Sequence, residues 1–317
     1  MKRFLLTFIL VLSAGIAAWA DNDAAGTYLY ARKDGQDLYL DIYEPADSTT
    51  LASLDDSTTV RKPTILFVFG GGFLSGERDH ASYLPWFENL RNEGYRIVSI
   101  DYRLGLKGVK KMGIAQRDLL DKAIHMAVED LFDSILFLRD NADDLGVDIY
   151  NLVLAGSSAG AITVLQADYE LCNRTACAQV LPEDLHFAGI MSFAGAIYST
   201  KGLLKYEVSA PAPTLFLHGT ADKLVNYDQT KFMNIGFFGS KRIAERFDKF
   251  GYPYTFVRFK DHGHEIAASM GYTVEIQKEF LMTEVLRKVR RVIDLTVSDP
   301  RIESPGKWKK GPEELYK

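Results

Sequence analysis

The chain has 317 residues, of which 47% are hydrophobic and 25% charged, an ordinary globular balance with length for one large domain or two small ones. A net charge of −5 and a calculated pI near 5.7 give no reason to expect nucleic acid or an anionic membrane as partner. The two cysteines are too few for a disulfide-built scaffold.

Residues 1–20 are predicted to be a secretory signal peptide and not part of the fold. Lys2 and Arg3 precede an apolar run over 4–12, and Ala18-Trp19-Ala20 forms a small-residue cleavage site. The run is too short and wrongly flanked for a membrane span, although an uncleaved anchor is the alternative. Export then predicts a secreted or periplasmic protein with no membrane attachment after cleavage. In an oxidising space Cys172 and Cys177 are expected to pair in a small local ring, the alternative being two free buried thiols.

Residues 26–43 predict a hairpin, with apolar and polar residues alternating on both arms about Asp34-Gly35. Residues 46–62 are rich in Ser, Thr and Asp and lack a period, so they predict a solvated loop. A buried strand over 64–69 ends in Gly70-Gly71-Gly72-Phe73. A helix over 84–94 and a strand over 96–100 follow. Apolar residues spaced by three and four over 118–139 predict a one-faced helix. After it come a strand over 152–155 and a helix from 161, then strands over 187–193 and 213–217. A helical region broken near Gly236 and Gly239 is predicted over 229–250. The last strand is predicted over 254–259 and a final helix over 266–294, before a polar tail over 298–317. Strands alternating with helices argue for a mostly parallel central sheet with helices on both faces, an α/β fold spanning 21–297. No repeat or low-complexity block interrupts it.

In such sheets reactive groups collect beyond the carboxyl ends of the strands. Four loops that directly follow strands carry such residues: 70–73, 156–160, 219–222 and 261–264. The second is Gly156-Ser157-Ser158-Ala159-Gly160, a G-x-S-x-G pentapeptide between strand and helix. That context predicts a sharp turn presenting Ser158, with glycines where side chains would collide. A serine hydroxyl needs a base, and the base an orienting carboxylate. His264 is the favoured base because it follows Gly263 and directly precedes a helix; His262 is the alternative. Asp222 is the favoured acid, against a turn-capping role and against Asp261 beside His262. His80, His125 and His186 lack a motif, and His218 is expected to support the turn before Asp222. Gly71, Gly72 and Ala159 can offer backbone N–H groups to an oxyanion. No metal or organic cofactor is called for.

The segments Leu40-Asp41-Ile42-Tyr43-Glu44-Pro45, Gly70-Gly71-Gly72-Phe73, Asp101-Tyr102-Arg103-Leu104, Gly156 to Gly160, His218-Gly219-Thr220-Ala221-Asp222 and Gly263-His264 together resemble the α/β-hydrolase superfamily. The resemblance, over about residues 37–290, is to its carboxylesterase/lipase-like branch, including relatives of hormone-sensitive lipase and bacterial esterases of plant cell-wall esters. It implies a catalytic triad of Ser158, Asp222 and His264, and an oxyanion hole of Gly71, Gly72 and Ala159. It implies a secreted serine esterase acting through an acyl-enzyme on a small-molecule or oligosaccharide ester, with short acyl, acetyl or feruloyl groups. A serine peptidase of the same fold and a silent binding protein on the same scaffold are the rival readings. Phe69 stands where the family usually has a histidine that braces the glycine loop; the change bears on the support of that loop and not on the reaction. Ser157 replaces the family's usual aspartate, which argues against the lipase-type subgroup. The stretch 232–238 is expected either to line an acyl or sugar pocket or to pack the core.

Overall fold

The protein is described here from a computed structural model over residues 24–46, 61–109 and 117–298. The predicted signal peptide, most of the predicted solvated loop and all but the first residue of the polar tail lie outside the described residues. In chain order the main elements are β1 (Gly26–Lys33), β2 (Gln36–Tyr43), β3 (Thr64–Val68), α1 (Leu84–Asn92), β4 (Arg96–Ile100), α2 (Arg117–Asp140), α3 (Ala142–Leu145), β5 (Leu152–Ser157), α4 (Ala159–Cys172), β6 (Gly189–Phe193) and β7 (Ala196–Ser199). They continue with β8 (Thr214–Gly219), β9 (Gln229–Phe232), β10 (Ile235–Gly239), α5 (Ser240–Phe250), β11 (Tyr254–Phe259), α6 (Val274–Phe280) and β12 (Val292–Val297).

Nine strands form one sheet in the order β1-β2-β4-β3-β5-β6-β8-β11-β12. The pairs β1–β2 and β2–β4 are antiparallel; from β4 to β12 the pairing is parallel. This is the α/β architecture expected from the sequence. Strands β3, β5, β6 and β8 are buried along their whole length. That explains their unbroken apolar runs: a parallel strand covered on both faces has no polar side to show. α4 packs on β5, β6 and β3 and against α2. α1 meets the C-terminal helical segment, where Trp86 Nε1 donates to Gln277 Oε1 at 2.6 Å in a buried hydrogen bond.

Four expectations are corrected. Residues 229–239 are not the start of a helix but the hairpin β9–β10, and only 240–250 are helical. β10 pairs with β7, an unforeseen short strand, in a three-stranded sheet. Gly239 marks a close approach there, since a Cβ on it would lie 1.9 Å from the Asn226 carbonyl oxygen. The strand at 254–259 is not the last, because β12 adds in parallel to β11 at the sheet edge. The final helix dissolves into single turns at His264–Ala268 and Met270–Thr273, then α6 and a wide turn over Leu281–Leu286. Finally, Cys172 and Cys177 are free. Cys172 ends α4 with its thiol toward the Ala210 carbonyl, 3.4 Å away, whereas the Cys177 sulfur lies 3.4 Å from Thr175 Oγ1. The two sulfurs serve different local contacts and form no bridge.

Candidate active site

The turn from β5 into α4 holds Ser158 at φ 51° and ψ −113°, a region that side-chain-bearing residues rarely occupy. Two glycines make the turn possible. A Cβ on Gly156 would lie 2.3 Å from the Gly160 carbonyl group, and one on Gly160 would lie 1.9 Å from the Val68 carbonyl oxygen. The strained residue is tied down by its own N–H, which donates to the Phe193 carbonyl at 2.9 Å. Ser157 Oγ donates to the Ala267 carbonyl at 2.7 Å, which fastens the elbow to the turn that begins at His264.

Ser158 Oγ lies 2.7 Å from His264 Nε2, and His264 Nδ1 lies 2.7 Å from Asp222 Oδ2. All three residues are buried. A carboxylate can only accept, so Nδ1 carries the proton and Nε2 is left to accept from the serine hydroxyl. The loops carrying the acid and the imidazole are bound to each other. The Ala221 N–H donates to the His262 carbonyl at 2.8 Å and the Asp261 N–H to Thr220 Oγ1 at 2.9 Å. Gly219 permits this contact, because a Cβ there would stand 2.3 Å from the carbonyl oxygens of both His262 and Gly263.

Burial by itself would push the Asp222 carboxyl up. Hydrogen bonds from His218 and then His264 outweigh it and hold the group well below the usual carboxylate range. Its other oxygen, Oδ1, accepts from the N–H groups of Leu224 at 2.8 Å and Val225 at 3.1 Å. Asp222 thus caps its turn and also meets the imidazole of His264. His262 goes elsewhere: its Nδ1 is 3.0 Å from Glu265 Oε1, which also accepts the Gly263 N–H at 2.9 Å.

The glycine loop takes its turn from its own backbone. Gly71 and Gly72 have φ of 122° and 66°, which glycine adopts without strain. The Gly71 carbonyl accepts from the N–H groups of Leu74 and Ser75. A Cβ on Gly71 would lie 2.0 Å from the Ser75 carbonyl oxygen. Support for this loop comes from two tyrosines. Tyr83 Oη accepts the Gly70 N–H at 3.0 Å, and Tyr102 Oη donates to the Phe69 carbonyl at 3.1 Å. The Phe69 ring stacks on Tyr102 with centroids 4.4 Å apart. Sequence reasoning missed both tyrosines as supports. Tyr102 stood in a quoted motif directly after β4, a position that could have flagged it; Tyr83 carried no such signal. Of the aromatic stretch, Phe238 is fully buried in the core, while Phe232 is 71% exposed on the β9–β10 hairpin.

The family model BD-FAE matches residues 40–170, a stretch that holds Gly71, Gly72 and Ser158 but stops before Asp222 and His264. Gut esterase 1 of Caenorhabditis briggsae is 28% identical over 39% of this chain and 21% of its own length. Mouse neuroligin-2 is 25% identical over 47% of this chain and 18% of its own length. The chain therefore spans about a fifth of the length of these curated relatives. Among solved structures, an esterase of the planctomycete Thermogutta terrifontis superposes with a TM-score of 0.58 at 24% identity, covering 83% of this chain and 93% of that one. That likeness shows a shared fold. Sheet order, elbow and this superposition give the chain the α/β-hydrolase fold. Its partial sequence similarity includes carboxylesterase-like proteins.

Proposed function

We propose that the chain is a serine esterase that cleaves carboxylic esters through an acyl-enzyme. The observation that carries this reading is the pair of 2.7 Å contacts linking Ser158 Oγ, His264 and Asp222 in a buried line. His264 takes the hydroxyl proton as Ser158 attacks the ester carbonyl. Asp222 keeps the imidazole in its working tautomer and offsets the positive charge it gains. Backbone N–H groups of Gly71, Gly72 and Ala159 receive the oxyanion, with Ala159 at the N-terminus of α4 adding the positive end of the helix dipole. His264 then protonates the departing alcohol, and a water that it activates releases the acid.

The substrates proposed are short acyl esters or the acetyl and feruloyl esters of plant polysaccharide fragments. The Thermogutta esterase has been solved with propionate and with butyrate bound, and also phosphorylated by paraoxon, which favours small acyl groups and a reactive serine by analogy. Export through the segment at 1–20 belongs to the same proposal. Among the described residues no helix is long and apolar enough to cross a membrane.

The test is hydrolysis of p-nitrophenyl acetate and butyrate, acetylated xylo-oligosaccharides and feruloyl sugars by the purified chain and by Ser158→Ala. Turnover of at least one ester, reduced about a thousandfold or more in the variant, is expected. Equal rates for the two proteins would sink the proposal. Failure on every ester would favour the silent scaffold, and cleavage of aminoacyl amides alone would favour the peptidase.

A further inference from the structure

Asp222 Oδ2 faces two imidazoles. Besides His264 it lies 3.2 Å from Nε2 of His218, which is wholly buried at the end of β8. The same Nε2 is 3.0 Å from the Val225 carbonyl oxygen. Two acceptors converge on this nitrogen, so it must carry a proton. Nδ1 is 2.8 Å from Oγ of Ser240, the first residue of α5 and also fully buried. The Ser240 hydroxyl also reaches the Gly195 carbonyl, 3.4 Å away, and its shorter contact with Nδ1 fixes the ring whichever of the two donates. The ring is further boxed by Tyr227, edge-on with centroids 5.6 Å apart.

We propose that His218 is a positioning residue for the reaction assigned above, locked by Ser240 as a donor that fixes the Asp222 carboxylate against His264. The proposal rests on the esterase reading. Leu224 and Val225 hold Oδ1 from one side, and His218 holds Oδ2 from the other. Without His218, Oδ2 loses the donor that pins it in the plane where it meets His264. The acid can then swing within its turn while the turn itself stays intact. A residue that merely filled space would be replaceable by any side chain of like volume. A donor is replaceable only by another donor.

Three variants separate these cases. His218→Leu keeps bulk without a donor, His218→Gln keeps an N–H near the place of Nε2, and Ser240→Ala removes the hydroxyl that locks the ring. His218→Leu is expected to lower kcat roughly 10- to 100-fold, the scale of a lost hydrogen bond to a charged group. KM should stay within about twofold, because substrate binding is not touched. His218→Gln should recover most of the loss, and Ser240→Ala should fall between. A folded His218→Leu protein with the parent kcat, or an equal loss in the Leu and Gln variants, overturns the proposal. If His218→Leu does not fold, Ser240→Ala decides: a lowered kcat at constant KM supports the role, and a parental kcat removes it. The tautomer is measured without turnover by long-range proton–nitrogen spectra of the parent. A proton on Nε2 of His218 is expected, and one on Nδ1 alone overturns the proposal even in a fully active esterase. Absence of turnover in the parent would strike the esterase reading instead.

Discussion

Two aspartates in this molecule are buried to the same degree and behave in opposite ways. Asp222 and Asp168 are each 4% exposed. Asp222 ends a turn after β8, where two imidazoles and two backbone amides point at its oxygens. Its carboxyl is held well below the ordinary range. Asp168 lies within α4, where it meets one amide, that of Ala212 at 3.3 Å, and the Cys172 thiol 3.8 Å away. Loss of water dominates there, and the group is pushed up to about 7. Burial therefore does not decide whether a carboxylate stays charged; the number and aim of the donors do. A base-orienting carboxylate needs the first environment, and the second would protonate it near neutral pH.

The largest way to break this comparison is Asp222→Asn. It preserves shape but presents the wrong partner to His264 Nδ1, and kcat is expected to fall about 10³- to 10⁴-fold, as for such a change in other triads. Steady-state kinetics on the best ester checks it, and a loss below tenfold would mean that the acid is not Asp222. Next comes Gly71→Ala, which acts on the uncharged side of the site. The added Cβ would collide with the Ser75 carbonyl oxygen. Moving that loop should cost about 10²- to 10³-fold in kcat, the worth of one oxyanion donor.

Stability against pH sharpens the contrast between the aspartates. The folded-state value of Asp168 is raised above its ordinary 3.8, so its unfavourable contribution grows as pH rises through the window from about 4 to about 7 and is constant above it. Asp168→Asn removes that dependence. The variant should be more stable than the parent at pH 8, by on the order of a few kcal/mol, with little difference at pH 4 and no change in kcat. Urea denaturation at the two pH values measures it; the same difference at both would refute the assignment. Asp222 has the opposite sign. Its folded-state value is lowered, so its contribution is fully present above about pH 4 and is lost as pH falls further. Acid titration of Asp222→Asn should lack that part of the decline. The smallest effect expected is that of Tyr102→Phe, which removes one neutral hydrogen bond to the Phe69 carbonyl. About 1 kcal/mol of stability should be lost, with activity changed only a few-fold.

Much of the architecture was legible because it is local. Unbroken apolar runs such as Leu66-Phe67-Val68 and Leu152-Val153-Leu154 announce strands covered on both faces, and the spacing in α2 announces one buried stripe. The glycines around Ser158 announce a turn with no room for side chains. The errors fell where packing overrode period. Residues 229–239 pass as helix until β7 offers a pairing partner, and Val292 to Val297 join the sheet because β11 left an open edge.

From residue order alone, the chain determined that a serine, an aspartate and a histidine would each sit just past the end of a strand of a parallel sheet. Periodicity and turn chemistry act over a few residues, and a chain carries them wherever it goes. Only the tertiary structure decided which histidine meets the serine, that His262 turns to Glu265, that His218 shares an oxygen of Asp222, and that two cysteines close in sequence stay unbridged. Those outcomes depend on how loops from different strands cross, because a hydrogen bond of about 3 Å is lost when its partners move apart by about an ångström.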